Sequence, residues 1–118
     1  MATLVPLNTF KTVTSPLFAN VGILYTAPDE TATIVLMAQV TNIRDDEVYP
    51  DSNVTFSHLS NTGTISTELV KNFPVPVRDA VSVLTGRLVL EANSSITARA
   101  TSNANLKITL SLLETSLI

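Results

Sequence analysis

Between Leu106 and Leu112 every second residue is a leucine or an isoleucine, and Lys107, Thr109 and Ser111 between them are polar. A period of two puts successive side chains on opposite faces of an extended chain, so this run predicts a strand with one buried face and one wet face. The rhythm recurs upstream, where Ile96, Ala98 and Ala100 oppose Thr97, Arg99 and Thr101, and Leu88 and Leu90 oppose Arg87 and Glu91. Over residues 33–42, Ile34, Leu36, Ala38 and Val40 are set against Thr33, Val35, Met37, Gln39 and Thr41. The second set is not wholly polar, which places this strand centrally or covers it on both faces. Valine (13), isoleucine (7) and threonine (17) together supply 37 of the 118 residues, and their branched Cβ suits a pleated surface.

Turn-forming residues cut the chain into about eight such runs, at 7–14, 22–27, 32–43, 54–60, 64–72, 87–92, 95–101 and 105–114. The punctuation is Pro28-Asp-Glu, the polar stretch Asp45 to Asn53, Asn61-Thr-Gly63, Asn93-Ser-Ser95 and Ser102-Asn-Ala-Asn105. Phe73-Pro-Val-Pro-Val77 spaces two prolines so as to forbid a helix or a central strand, and it predicts an extended edge. Residues 73–86 are therefore expected to cross from one sheet to another. No window keeps a helical period. The expectation is an all-β fold: one antiparallel β-sandwich, jelly-roll-like, spanning residues 1–118.

Composition excludes several functions. Charged residues are 14% against about 25% in an average domain, while hydrophobic residues are 45%, so the chain is not disordered. Seven basic against ten acidic residues leave a net charge of −3, with no basic footprint for nucleic acid or an anionic membrane. The longest apolar run, Ile34 to Ala38, is far short of the ~20 residues that cross a bilayer. Met1-Ala-Thr-Leu-Val-Pro has neither the basic segment nor the long apolar run of a signal peptide, and none is expected there. With no cysteine there is no disulfide, thiolate ligand or thiol nucleophile.

Reactive chemistry is sparse. His58 is the only histidine; it shares strand parity with Val54 and Phe56, which places it at the rim of an inward face. Alone it completes neither a nucleophile–base pair nor a zinc site, and the expectation is that the chain is not an enzyme and needs no cofactor. Asp45, Asp46, Glu47 and Asp51 form one acidic loop, the sole candidate for a metal such as calcium. The loop lacks the order of an EF-hand, Pro50 limits how it can wrap, and the first reading is a solvated loop that keeps a charge-poor chain soluble. Two sequons, Asn53-Val-Thr and Asn93-Ser-Ser, fall in a chain rich in Ser, Thr and Asn. Sugar binding wants aromatic platforms, yet Trp is absent and Tyr25 and Tyr49 are the only tyrosines.

What remains is surface. The first residues are apolar for a chain end, and the last are Ser116-Leu-Ile118. Residues 1–10 either complete the chain's own sheet or form an interaction arm that docks on a neighbouring subunit, with Leu4, Val5, Leu7 and Phe10, joined by Leu117 and Ile118, as the contact residues. A face of Ser, Thr, Asn and scattered apolar groups loses few hydrated ions on contact, which suits permanent assembly.

Tyr25-Thr-Ala-Pro-Asp-Glu-Thr-Ala-Thr-Ile-Val-Leu-Met-Ala-Gln-Val-Thr-Asn42 resembles a group of small virion proteins of tailed bacteriophages, those of cyanobacterial phages in particular. Gly86-Arg-Leu-Val-Leu-Glu-Ala-Asn-Ser-Ser-Ile-Thr-Ala-Arg-Ala-Thr-Ser102, with Leu106 to Glu114, is similar to their closing three strands; Asn93, Ser94 and Ser95 stand where those proteins often have a Gly-Asp turn. The likeness covers about 70 residues. It implies a capsid decoration (cement) protein that binds and stabilises an assembled shell, with the major capsid protein or another virion protein as partner. A homo-oligomer, a trimer first, is implied, located in the virion and assembled in the host cytoplasm, with no nucleic acid or membrane as partner. A tail, neck or baseplate accessory protein is the alternative, and a carbohydrate- or receptor-binding module on the virion surface is the second.

Overall fold

The computed structural model describes residues 8–44, 52–101 and 105–116. They form nine strands: β1 (Asn8–Pro16), β2 (Gly22–Thr26), β3 (Thr31–Asn42), β4 (Ser52–Leu59), β5 (Ser66–Val75), β6 (Ala80–Ser82), β7 (Leu88–Leu90), β8 (Ser95–Ala100) and β9 (Leu106–Ser116). The chain runs as one long hairpin folded on itself. β4 pairs with β5, β3 with β6 and β7, β2 with β8, and β1 with β9, all antiparallel. Rolling this ribbon adds two further ladders, β3 to β9 and β4 to β8. The result is two sheets, β1-β9-β3 with β6 and β7 sharing the far edge of β3, and β2-β8-β4-β5. That is the jelly roll expected from the alternation.

The ninth strand arises because the sixth of the eight expected is in two pieces. β6 and β7 both lie along β3, and the chain leaves it between Ser82 and Leu88, with Gly86 at φ 131°. Opposite this gap β3 carries a bulge at Leu36, between the pairs Val35↔Leu112 and Met37↔Ser111. The bulge corrects the single parity read from the sequence. Thr33 and Val35 point inward on one side of it, and Ala38, Val40 and Asn42 on the other, so Ile34 does not share a face with Ala38 and Val40. Central placement of β3 is as expected.

The core between the sheets holds Val35, Ala38, Val40, Val54, Phe56, Leu90, Ile96, Leu106, Ile108, Leu110 and Leu112 among others. β9 alternates as its sequence demands, with Leu106, Ile108, Leu110 and Leu112 all buried. Phe73-Pro-Val extends β5 instead of following it, and β5 is an edge strand, where the missing amide of Pro74 is tolerated. The turn at Asn61 to Gly63 joins β4 to β5, Gly63 taking φ 74°. Residues 76–79 then cross to the other sheet.

Candidate functional site

Polar side chains join the sheets near both ends of β3. Tyr25 on β2 shares the inward register of Ile96 and crosses the sandwich to the other sheet. There its hydroxyl donates to the Glu114 carboxylate and lies 2.9 Å from Thr33 Oγ1, which donates in turn. Glu114 and Thr33 are direct neighbours on β9 and β3. The other carboxylate oxygen of Glu114 meets Lys11 Nζ at 3.2 Å. Burial, then the Glu114 contact, pushes the Tyr25 phenol from 10.0 up to about 12, so it stays a neutral donor. At the opposite end of β3, Asn42 is buried; its amide donates to Val75 C=O at 2.9 Å and its oxygen accepts from Arg44 N–H at 3.1 Å. Tyr25, a candidate sugar platform by composition, is spent on holding the sandwich together.

His58 sits where its parity places it, opposite Ile96 on β8 and Thr67 on β5. It lines an open groove of about 400 Å³ between the β4–β5 hairpin and β7, with Thr67, Leu69, Val89 and Glu91. Among the described residues no three His, Cys, Asp or Glu side chains gather to hold a metal ion. The acidic candidates Asp45, Asp46, Glu47 and Asp51 lie outside the described residues, as do Leu4, Val5, Leu7, Leu117 and Ile118. Phe10 is described. It is a member of β1, opposite Leu113, and is 75% exposed.

The register reveals a feature the linear sequence hides. Phe10 pairs with Leu113, Leu113 with Ile34, and Ile34 with Val89. Thr33, Val35 and Leu112 beside them are buried inward, so these four side chains form one apolar row across the outer face of the first sheet, β1 to β7. Val89 is 61% exposed, and Leu36 at the bulge lies with Phe10, Thr12 and Ser111 around a shallow depression of about 300 Å³. Further along the same face the rows become more polar: Thr12 and Ser111 beside the apolar Met37, then Thr14, Thr109 and Gln39. The flanks carry more apolar exposure, with Phe18, Val21 and Ile23 around β2 and Ile65, Leu69 and Phe73 around β5. Three of the four phenylalanines are at the surface. Phe10 is among the contact residues expected from the sequence, and Leu113, Ile34 and Val89 are not, because they are far apart in the chain.

Compared with known families, the chain matches none. No curated protein is similar enough to count as a relative, so the resemblance of residues 25–42 and 86–114 rests on those residues themselves. Among solved structures the chain is similar to a pentameric capsid protein isolated from metagenomic phage sequences, at 15% identity and a TM-score of 0.42, covering 89% of this chain and 60% of that one. It is also similar to the infectious bursal disease virus particle, at 13% identity and a TM-score of 0.48, covering 94% of this chain and 31% of that one. The VP2 subviral particle of the same virus gives 13% identity, a TM-score of 0.46, and coverage of 92% and 32%. The chain thus spans between a third and three fifths of the proteins it is similar to.

Proposed function

We propose that this chain is a structural part of a virion, a decoration (cement) protein that binds the assembled shell of a tailed phage as a homo-oligomer. The observation that carries the reading is the division of labour in the jelly roll. The polar side chains that link its sheets, Tyr25, Thr33, Glu114 and Asn42, are engaged with one another or with backbone, while an apolar row is displayed on one outer face. Such a face gains by permanent burial and offers little to a small substrate. The sequence resemblance of residues 25–42 and 86–114 points the same way. The partner is the major capsid protein or another virion protein, and the trimer is the oligomer expected from that resemblance. Action is by linkage: a protein that binds the shell but not its dissociated subunits stabilises the shell. Many weak contacts on one particle add through multivalency.

Quantitative mass spectrometry of purified particles tests this. Hundreds of copies per particle are expected, and adding the pure protein to shells that lack it should raise their melting temperature. A handful of copies per particle would assign the chain to tail, neck or baseplate. Glycan binding with no affinity for shells would assign it to receptor recognition. Absence from particles would refute the reading outright.

A further inference from the structure

Four edges flank the two sheets, and three of them resist the addition of another strand. β2 has five residues and a register shift between Ile23 and Tyr25. β5 has two register shifts against β4 and contains Pro74. β6 and β7 have three residues each. Short, bulged and proline-bearing strands are ways of blunting an edge. β1 has one of them only at its last residue, Pro16, and none from Asn8 to Ser15. Its nine residues keep unbroken register with β9 from Asn8↔Thr115 to Pro16↔Lys107, and among the described residues nothing pairs with its other side. Its one charge, Lys11, lies on the inward parity and is matched by Glu114.

The hydrogen-bonding phase of β1 follows from the bond just beyond it. Leu17 N–H donates to Leu106 C=O at 2.8 Å, continuing the ladder from Pro16↔Lys107. In an antiparallel ladder alternate residues turn their amides toward the same neighbour. Ser15, Val13, Lys11 and Thr9 therefore face β9, and Asn8, Phe10, Thr12 and Thr14 present N–H and C=O at the open edge. Pro16 falls in the open-edge set, where its missing N–H breaks no bond to β9.

We propose that this edge binds a second copy of the chain, β1 against β1, antiparallel about a twofold axis at Thr12. The strand is self-complementary in that register. Thr12 of one copy meets Thr12 of the other, and Phe10 meets Thr14, each an open-edge residue with its side chain on the outer face. Hydrogen-bonding phase and pleat are satisfied together, for about eight interchain backbone bonds. A one-residue slip would set open-edge amides against amides already bound to β9 and put Phe10 opposite an inward residue. The apolar row from Val89 to Phe10 runs off the sheet at this edge, and pairing brings Phe10 onto the neighbouring copy. The contact is isologous and closed, so it forms a dimeric link whether or not the protein belongs to a particle.

The full chain tests it, by analytical ultracentrifugation and residue-resolved amide exchange at high and low concentration. An even-numbered assembly is expected, a dimer from this contact alone or a hexamer where it joins two trimers, with the Phe10, Thr12 and Thr14 amides protected at least about tenfold more strongly when concentrated, and those of Thr9, Lys11, Val13 and Ser15 protected in both. Thr12→Pro should abolish association while leaving the circular-dichroism spectrum unchanged, because the Thr12 amide bonds nothing within one copy. A spin label on Thr12→Cys, introduced into a chain without cysteine, should report a second label within roughly 10–20 Å, given Cα atoms about 5.5 Å apart across such a pair. A monomer at every concentration, open-edge protection that ignores dilution, association that survives Thr12→Pro, or distant labels would each overturn the proposal. Protection indifferent to dilution would mean that the chain's own residues cover the edge.

Discussion

Tyr25→Phe removes one oxygen atom from the link between the sheets, and its cost can be worked out from what that oxygen touches. The hydroxyl donates to an ionised acceptor, Glu114, and accepts from Thr33. A hydrogen bond to a charged group contributes about 1.5–3 kcal/mol, and a buried hydroxyl left without a partner costs about 1–3 kcal/mol. Thr33 is 0% exposed and cannot turn to water for a replacement, whereas Glu114 keeps Lys11. Because Lys11 is half in solvent, its ion pair recovers little. We expect a net loss of about 2–3 kcal/mol. For a chain of this length the unfolding entropy is about 0.25 kcal/mol/K, so the melting temperature should fall by roughly 8–12 °C.

A second substitution separates a lost bond from an orphaned group. Thr33→Val in the Tyr25→Phe background removes the stranded hydroxyl and should recover about 1 kcal/mol, although Thr33→Val alone is destabilising. Urea unfolding of the four proteins closes the cycle. A Tyr25→Phe loss below ~0.5 kcal/mol, with no coupling to Thr33, would refute the argument that this contact ties the sheets. The pH dependence follows with its sign. A phenol raised from 10.0 to about 12 in the folded state stabilises the fold fully below pH 10, and that contribution disappears as pH rises through 12. Alkaline titration at 295 nm should show one tyrosine ionising late, and Tyr25→Phe should remove that late step.

Asn42→Ala should cost about 1–3 kcal/mol in chemical denaturation, since it leaves Val75 C=O and Arg44 N–H without the buried amide that bridges them. Phe56→Ala, in the middle of the core, should cost about 3–5 kcal/mol and is expected to give no soluble folded protein at 37 °C. Ile34→Thr with Val89→Thr breaks the apolar row at a cost of under about 1 kcal/mol in isolated stability, and particle binding should fall at least about tenfold. Reversing the charges of Asp45, Asp46 and Glu47 should change stability by less than ~0.5 kcal/mol, and millimolar calcium should leave the melting temperature unmoved; a calcium-dependent rise would make that loop a metal site.

Period-two alternation is sufficient to locate strands where one face is wet, and β8 and β9 lie within two residues of where their alternation put them. It is insufficient where a strand is apolar on both faces. In β3 the apolar residues run on through Ile34-Val-Leu-Met-Ala38, so no polar residue marks the face change, and the bulge at Leu36 is invisible without its partner β9. The split of the sixth expected strand into β6 and β7 is hidden for a related reason, since Val83 and Leu84 continue an apolar pattern while the chain leaves the ladder. His58 was placed by parity alone, and Asn61-Thr-Gly63 by turn chemistry alone. The Tyr25–Glu114 link and the row from Phe10 to Val89 join residues as much as 103 positions apart, and only the ladder pairings carry that information.

The allocation of phenylalanine argues for contact on energetic grounds. Full burial of such a side chain contributes about 1.5–3 kcal/mol, more than the valines and alanines that line much of this core each supply. Yet only Phe56 is inside, while Ala27, Ala38, Ala98 and Ala100 occupy inward positions and Phe10, Phe18 and Phe73 remain wet. A chain optimised only for its own stability would bring at least one of them in, and small alanines opposite larger residues are where a sandwich can be repacked. Phe10 lies on the outer face of an edge strand, so no repacking of the core can reach it. The transfer free energy withheld there is recovered only when another surface covers the outer sheet. Covering that surface should therefore raise stability, and Phe10→Ser should leave the isolated domain as stable as before while removing much of that gain.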